Sequence, residues 1–156
     1  FTCCSNTIIA QQTASASTVA GVTITTPTSI FKSSDLEFDE IKISTKTGGS
    51  VVIQPNGNKS AKGGTSTEGP GAPATFIVSA PPNYTYNISL PKAPVYESDS
   101  SSQLMNVSNF TSYPPASQMN TGSQSFSVGA TVNVGAAQEQ GEYDAEVPFN
   151  VTIGYN

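Results

Sequence analysis

VPFNVTIGYN, residues 147–156, sets Val147, Phe149, Val151, Ile153 and Tyr155 on one face of an extended chain and Pro148, Asn150, Thr152 and Gly154 on the other. Alternation with period 2 is the pattern of a strand whose apolar side lies on a core. This stretch is expected to be the last strand of the domain, with a strand from elsewhere covering its free side.

The chain has 156 residues, enough for one domain with a substantial core. Leu occurs three times, Val and Ile together twenty-two times, and Ser plus Thr forty times. β-Branched side chains are stiff at χ1 and fit a pleated surface, so this composition predicts an all-β protein. Charge is sparse: six Lys stand against eleven acids, with no Arg, no His and a net charge of -5. That balance argues against nucleic acid and against an anionic membrane as partners. The missing His removes the commonest general base and metal ligand, so neither a catalytic residue nor a metal or cofactor site is expected, and the reading is not of an enzyme. The acidic cluster Asp35, Glu37, Asp39 and Glu40 lacks the glycine and spacing of a calcium loop and reads as a solvent face.

Cys3 and Cys4 are adjacent and are the only cysteines, so no disulfide is expected within the domain. A bridge between subunits and an unused pair near a loose end are the two readings left open. The opening FTCCSN has no charged region followed by an apolar one, which predicts that any signal peptide has been removed, and no apolar run is long enough for a membrane span. A Ser/Thr/Asn/Gly-rich, weakly acidic chain of this kind is expected at the cell exterior.

Strand patterns recur between turn residues, the rhythm of a sandwich. Ala14, Ala16, Thr18, Ala20, Val22 and Ile24 form a narrow row. In LEFDEIKIS the apolar phase shifts from Leu36 and Phe38 to Ile41 and Ile43, which predicts a bulge or bend near Asp39 and Glu40. Val51 and Ile53 form a short strand, and the following QPNGNKSAKGGTSTEGPGAP, with five Gly and three Pro, reads as a long loop. Ala74, Phe76, Val78 and Ala80 alternate, as do Tyr84, Tyr86, Ile88 and Leu90, and the PPN between them predicts a hairpin that pairs the two runs. Met105, Val107 and Phe110 read as a short edge segment. Phe126, Val128, Ala130, Val132 and Val134 form the strongest row, and a turn at Gln140 and Gly141 leads to the closing strand. No helix is expected.

From Leu36 onward this gives about six strands, one short of an immunoglobulin-like sandwich. The segment before it, residues 1–24, reads as an N-terminal extension; from Ile8 to Val22 it alternates, carries no charge and has side chains small enough to slide into a groove. It can fold back on its own domain, residues 25–156, or insert into a neighbour by β-augmentation, and head-to-tail insertion without closure makes a filament. The donor row is then Ile8, Ala10, Ala14, Ala16, Thr18, Ala20 and Val22, and the acceptor row Val147, Phe149, Val151, Ile153 and Tyr155.

The penultimate Tyr155, with Gly141-Glu142-Tyr143 ahead of it, resembles the C-terminus of chaperone-usher pilins. TASAST, Leu36 to Phe38, Phe76 to Val78, Tyr86 to Pro91 and Val128 to Val132, in that order, are similar to motifs of bacterial secreted β-domains. The resemblance implies a fimbrial subunit with an incomplete immunoglobulin-like fold. It would be held soluble by a periplasmic chaperone, passed to an outer-membrane usher, and polymerised with identical subunits into an adhesive extracellular filament of the kind found in biofilms. The alternative is a self-complemented secreted module that binds glycan or a surface protein through its two long loops.

Overall fold

The computed structural model describes residues 22, 28–44, 46–91, 95–98, 101–115, 117–118, 122–145 and 148–155. Among these there is no helix; every regular element is a β-strand and every strand pair is antiparallel. The strands are β1 (Ser29–Ser34), β2 (Ile41–Ile43), β3 (Gly49–Ile53), β4 (Lys59–Gly63), β5 (Thr65–Thr67), β6 (Ala74–Ser79), β7 (Thr85–Ser89), β8 (Val95–Ser98), β9 (Ser101–Tyr113), β10 (Ser117–Gln118), β11 (Ser123–Val134), β12 (Tyr143–Ala145) and β13 (Thr152–Tyr155).

The strongest alternating row in the sequence becomes the centre of the large sheet. One edge of β11 pairs with β6 along Ser123 to Val128 and then with β3 along Ala130 to Val134, while its other edge pairs with β9. The path runs β1-β6-β11-β9-β8-β12, with β3 and β4 as a side branch. Phe126, Val128, Ala130, Val132 and Val134 are all buried, as are Ala74, Phe76, Val78 and Ala80. Phe126 and Phe76 are direct cross-strand partners, and their rings stack with centroids 5.3 Å apart.

A second sheet of order β10-β7-β13 lies over the first half of β11. Tyr86 of β7 joins Phe76, Val78, Phe126 and Val128 in one core cluster, and Ile88, Phe149, Val151, Ile153 and Tyr155 pack against it. Over the second half of β11, Val51, Val107, Ala130 and Val132 form another cluster, covered by Leu36, Phe38 and Ile41 from the small β2-β5 ribbon and the segment before it. Two antiparallel layers that share a core, with no closed barrel, are consistent with a β-sandwich.

The bend predicted near Asp39 is present: Asp39 takes φ 56°, so Leu36, Phe38 and Ile41 all reach the core despite the change of phase. Three expectations need correction. The stretch after Ile53 is not a long loop, because β4 pairs back on β3 and β5 pairs with β2. Its strands read as loop because both faces of β4 are largely exposed and carry no apolar alternation, although Asn56-Gly57 at the turn is a hairpin signal. The runs 74–80 and 84–90 do not pair with each other. Asn83, at φ 70°, turns the chain from one sheet into the other, so the two apolar rows face each other across the core instead of lying side by side. Finally, Met105, Val107 and Phe110 belong to the long central β9. A bulge at Asn109, φ 51°, skips a residue opposite Gly129 to Thr131, which hides the period by switching the inward face from Val107 to Phe110. β1 was not expected at all: its six residues are exposed and its apolar pair Ile30 and Phe31 does not alternate.

Gly129 sits where β11 passes from β6 to β3. A Cβ there would stand 2.1 Å from the Ile53 carbonyl oxygen and 2.8 Å from the Pro55 nitrogen, both backbone atoms that cannot rotate away. Gly129→Ala is expected to cost about 1–3 kcal/mol in urea unfolding, as overpacking does. Gly154→Ala, whose added Cβ would meet nothing within 4 Å, should cost nothing. Equal losses in the two variants would contradict this packing.

Candidate functional site

The acceptor row predicted from the sequence lies on the rim of the core. Phe149, Val151, Ile153 and Tyr155 are each half-buried and pack against the cluster under β7. Phe149 reaches the large sheet, its ring 5.2 Å from that of Phe110 and inclined at 46°. Val147 lies outside the described residues. β13 itself is shorter than the alternating sequence run, because only Thr152 to Tyr155 enter the ladder with β7.

The decisive feature is what β13 lacks. Its inner edge pairs with β7, Thr152 to Ser89 through Tyr155 to Tyr86, and among the described residues no strand pairs with its outer edge. Backbone N–H and C=O groups on such an edge, beside a half-buried apolar row, form a template for one more strand.

β1 is an open edge of the large sheet, pairing with β6 alone among the described residues. The two open edges meet where the Tyr155 hydroxyl donates to the Ser29 carbonyl at 3.5 Å, a long contact. β1 also exposes Phe31 at 67% and Ile30 at 38%.

Of the predicted donor row, only Val22 falls among the described residues, and it is 86% exposed. Ile8, Ala10, Ala14, Ala16, Thr18 and Ala20 lie outside them, as do Cys3 and Cys4. The tyrosines divide by depth: Tyr86 is core, whereas Tyr84, expected beside it, is 44% exposed just before β7 begins, and Tyr113 is 70% exposed at the end of β9. Among the described residues no group of three His, Cys, Asp or Glu side chains is placed to hold a metal ion.

The Tyr86 hydroxyl is buried and has no hydrogen-bond partner among the described residues. Burial, and secondarily the neighbouring Tyr155, push its pKa above the ordinary 10.0; burial alone pushes Tyr155 up as well. Unfolded tyrosine ionises first, so the stability held by these neutral phenols is complete below pH 10 and is lost as pH rises through the higher folded values. Tyr86→Phe, which removes the orphan hydroxyl, is expected to leave stability at pH 7 unchanged or raise it by about 1 kcal/mol, and to soften the alkaline loss. Urea unfolding at pH 7 and above pH 10 measures both, and a destabilised phenylalanine variant would mean that the hydroxyl has a partner.

No curated protein and no solved structure matches the chain. A family model, described as a domain of unknown function, DUF4402, matches residues 28–155, from just before β1 to the last residue of β13. The chain belongs to the DUF4402 family.

Proposed function

We propose that this protein is a structural subunit of an extracellular filament, assembled when an extended segment of one subunit adds to the β13 edge of the next. The observation that carries the reading is that edge: a strand paired on one side only among the described residues, with Phe149, Val151, Ile153 and Tyr155 half-buried along it. An added strand would complete the backbone ladder and cover the apolar row. Its hydrogen bonds act in parallel, and apolar area removed from water contributes roughly 25 cal/mol per Å².

The occupant we favour is residues 8–22 of a neighbouring copy, with Ile8, Ala10, Ala14, Ala16, Thr18, Ala20 and Val22 as the inserting row. This segment alternates and carries no charge, so burying it requires no ion to be desolvated. Because donor and acceptor are different surfaces, the contact is heterologous and propagates without closing. The subunit would complete its fold only in the polymer, which makes a periplasmic chaperone and an outer-membrane usher its expected partners before export to the cell surface. Cys3 and Cys4 precede the inserting row in the sequence and are the cysteines that would bridge adjoining subunits in such a filament. The role is assembly and adhesion rather than catalysis.

Removing residues 1–24 tests this reading. The truncated protein should be poorly soluble or marginally stable alone. A synthetic peptide covering Ile8 to Ile24 should restore its melting temperature, and the intact chain should run as a ladder of multimers that heat dissociates. A truncated protein that stays a stable monomer and ignores the peptide would overturn the filament reading.

A further inference from the structure

The second half of the large sheet carries a different surface. The segment Leu36–Ile43 is stitched to the chain at Gly64 to Ala72 by backbone hydrogen bonds, among them Glu37 N–H to the Ala72 carbonyl at 2.8 Å and Glu68 N–H to the Glu40 carbonyl at 3.0 Å. That places it as one wall of a trough of about 910 Å³. Residues 138–143 form the other wall, and Met105, Val107, Val132 and Val134 form the floor. The second wall is fixed by Tyr143, whose hydroxyl donates to the Glu139 carbonyl at 2.8 Å and accepts from the Gln138 amide at 3.0 Å.

Two properties say what fits. Each wall ends in a strand with an unpaired edge among the described residues, since β2 pairs only with β5 and β12 only with β8. Among the described residues the lining carries Glu37, Asp39, Glu40, Glu139 and Glu142 but a single cation, Lys42, whose ammonium is engaged by Glu68. An apolar floor, strand edges in the walls and carboxylates around the lining select an extended chain with aliphatic groups on one face and positive charges on the other.

We propose that this trough docks an extended segment of another protein in which lysine or arginine alternates with aliphatic residues. The aliphatic side chains would lie on Met105, Leu36 and Phe38, and the cations would reach the carboxylates of the lining. Residues 1–31 of this chain contain no charged side chain, so the segment proposed for the β13 edge does not supply the complement. The trough is a second interface, and its occupancy does not depend on filament assembly.

The probe is a fluorescein-labelled peptide of alternating lysine and valine, titrated with the full-length protein by anisotropy beside a serine-valine control. The expected result is saturable binding of the cationic peptide, weakened by salt, with little binding of the control. Combining Glu37→Gln, Glu40→Gln and Glu142→Gln should weaken affinity by about fivefold or more, the sum of three exposed ion pairs. Asp35→Asn, outside the trough, should leave it unchanged. Met105→Trp, which fills the floor and keeps every lining charge, should weaken binding independently. Melting temperatures of all variants identify any that fail to fold. The proposal is overturned if the cationic peptide does not bind, if the control binds equally well, or if folded variants bind as the parent does.

Discussion

The structure depends on one strand that is shared three ways. β11 holds β6 and β3 end to end along one edge and β9 along the other, so the two halves of its inward row anchor two separate clusters. Phe126 and Val128 sit under the β7-β13 layer, and Ala130 and Val132 under Leu36, Phe38 and Ile41. Leu36 and Phe110 touch both clusters and join them. The end-to-end arrangement is sterically possible only because Gly129 presents no side chain to the Ile53 carbonyl.

From this centre the structure becomes less complete outward. Strands near β11 are paired on both edges and buried on one face, whereas β1, β2, β12 and β13 are each paired on one edge among the described residues. An unpaired edge is a hazard when it is long, flat and apolar, and proteins commonly blunt such edges with charge or brevity. The trough edges at β2 and β12 are short and surrounded by carboxylates. β13 carries no charged residue and stands beside an apolar row, and that contrast is why the trough and the β13 edge are assigned different occupants.

How much could be read from the sequence follows from which physical signal each element carries. Strands with one buried face, such as Ala74–Ser79 and Ser123–Val134, declare themselves by alternation, and the row from Phe149 to Tyr155 was legible for the same reason. The bend at Asp39 was legible as a phase change. β1 and β4 are mostly exposed on both faces and give no period, β5 is a three-residue run of Thr and Ser with no apolar side chain, and the bulge at Asn109 scrambles the period of β9. Pairing partners are the least legible: Pro82 and Asn83 announce a turn, but only three-dimensional packing decides whether the chain turns within a sheet or crosses to the other. The orphan hydroxyl of Tyr86 and the trough walls carry no local sequence signal, because both arise from residues distant in the chain.

The measurement closest to the central claim is amide hydrogen exchange at Thr152 to Tyr155. It compares the assembled full-length protein with protein lacking residues 1–24. The account predicts that outward-facing amides of β13 are protected in the assembled protein and exchange freely in the truncated one, while the amides of β11 are protected in both. Equal, fast exchange at the β13 edge in both samples would contradict it, since no strand would then be adding there.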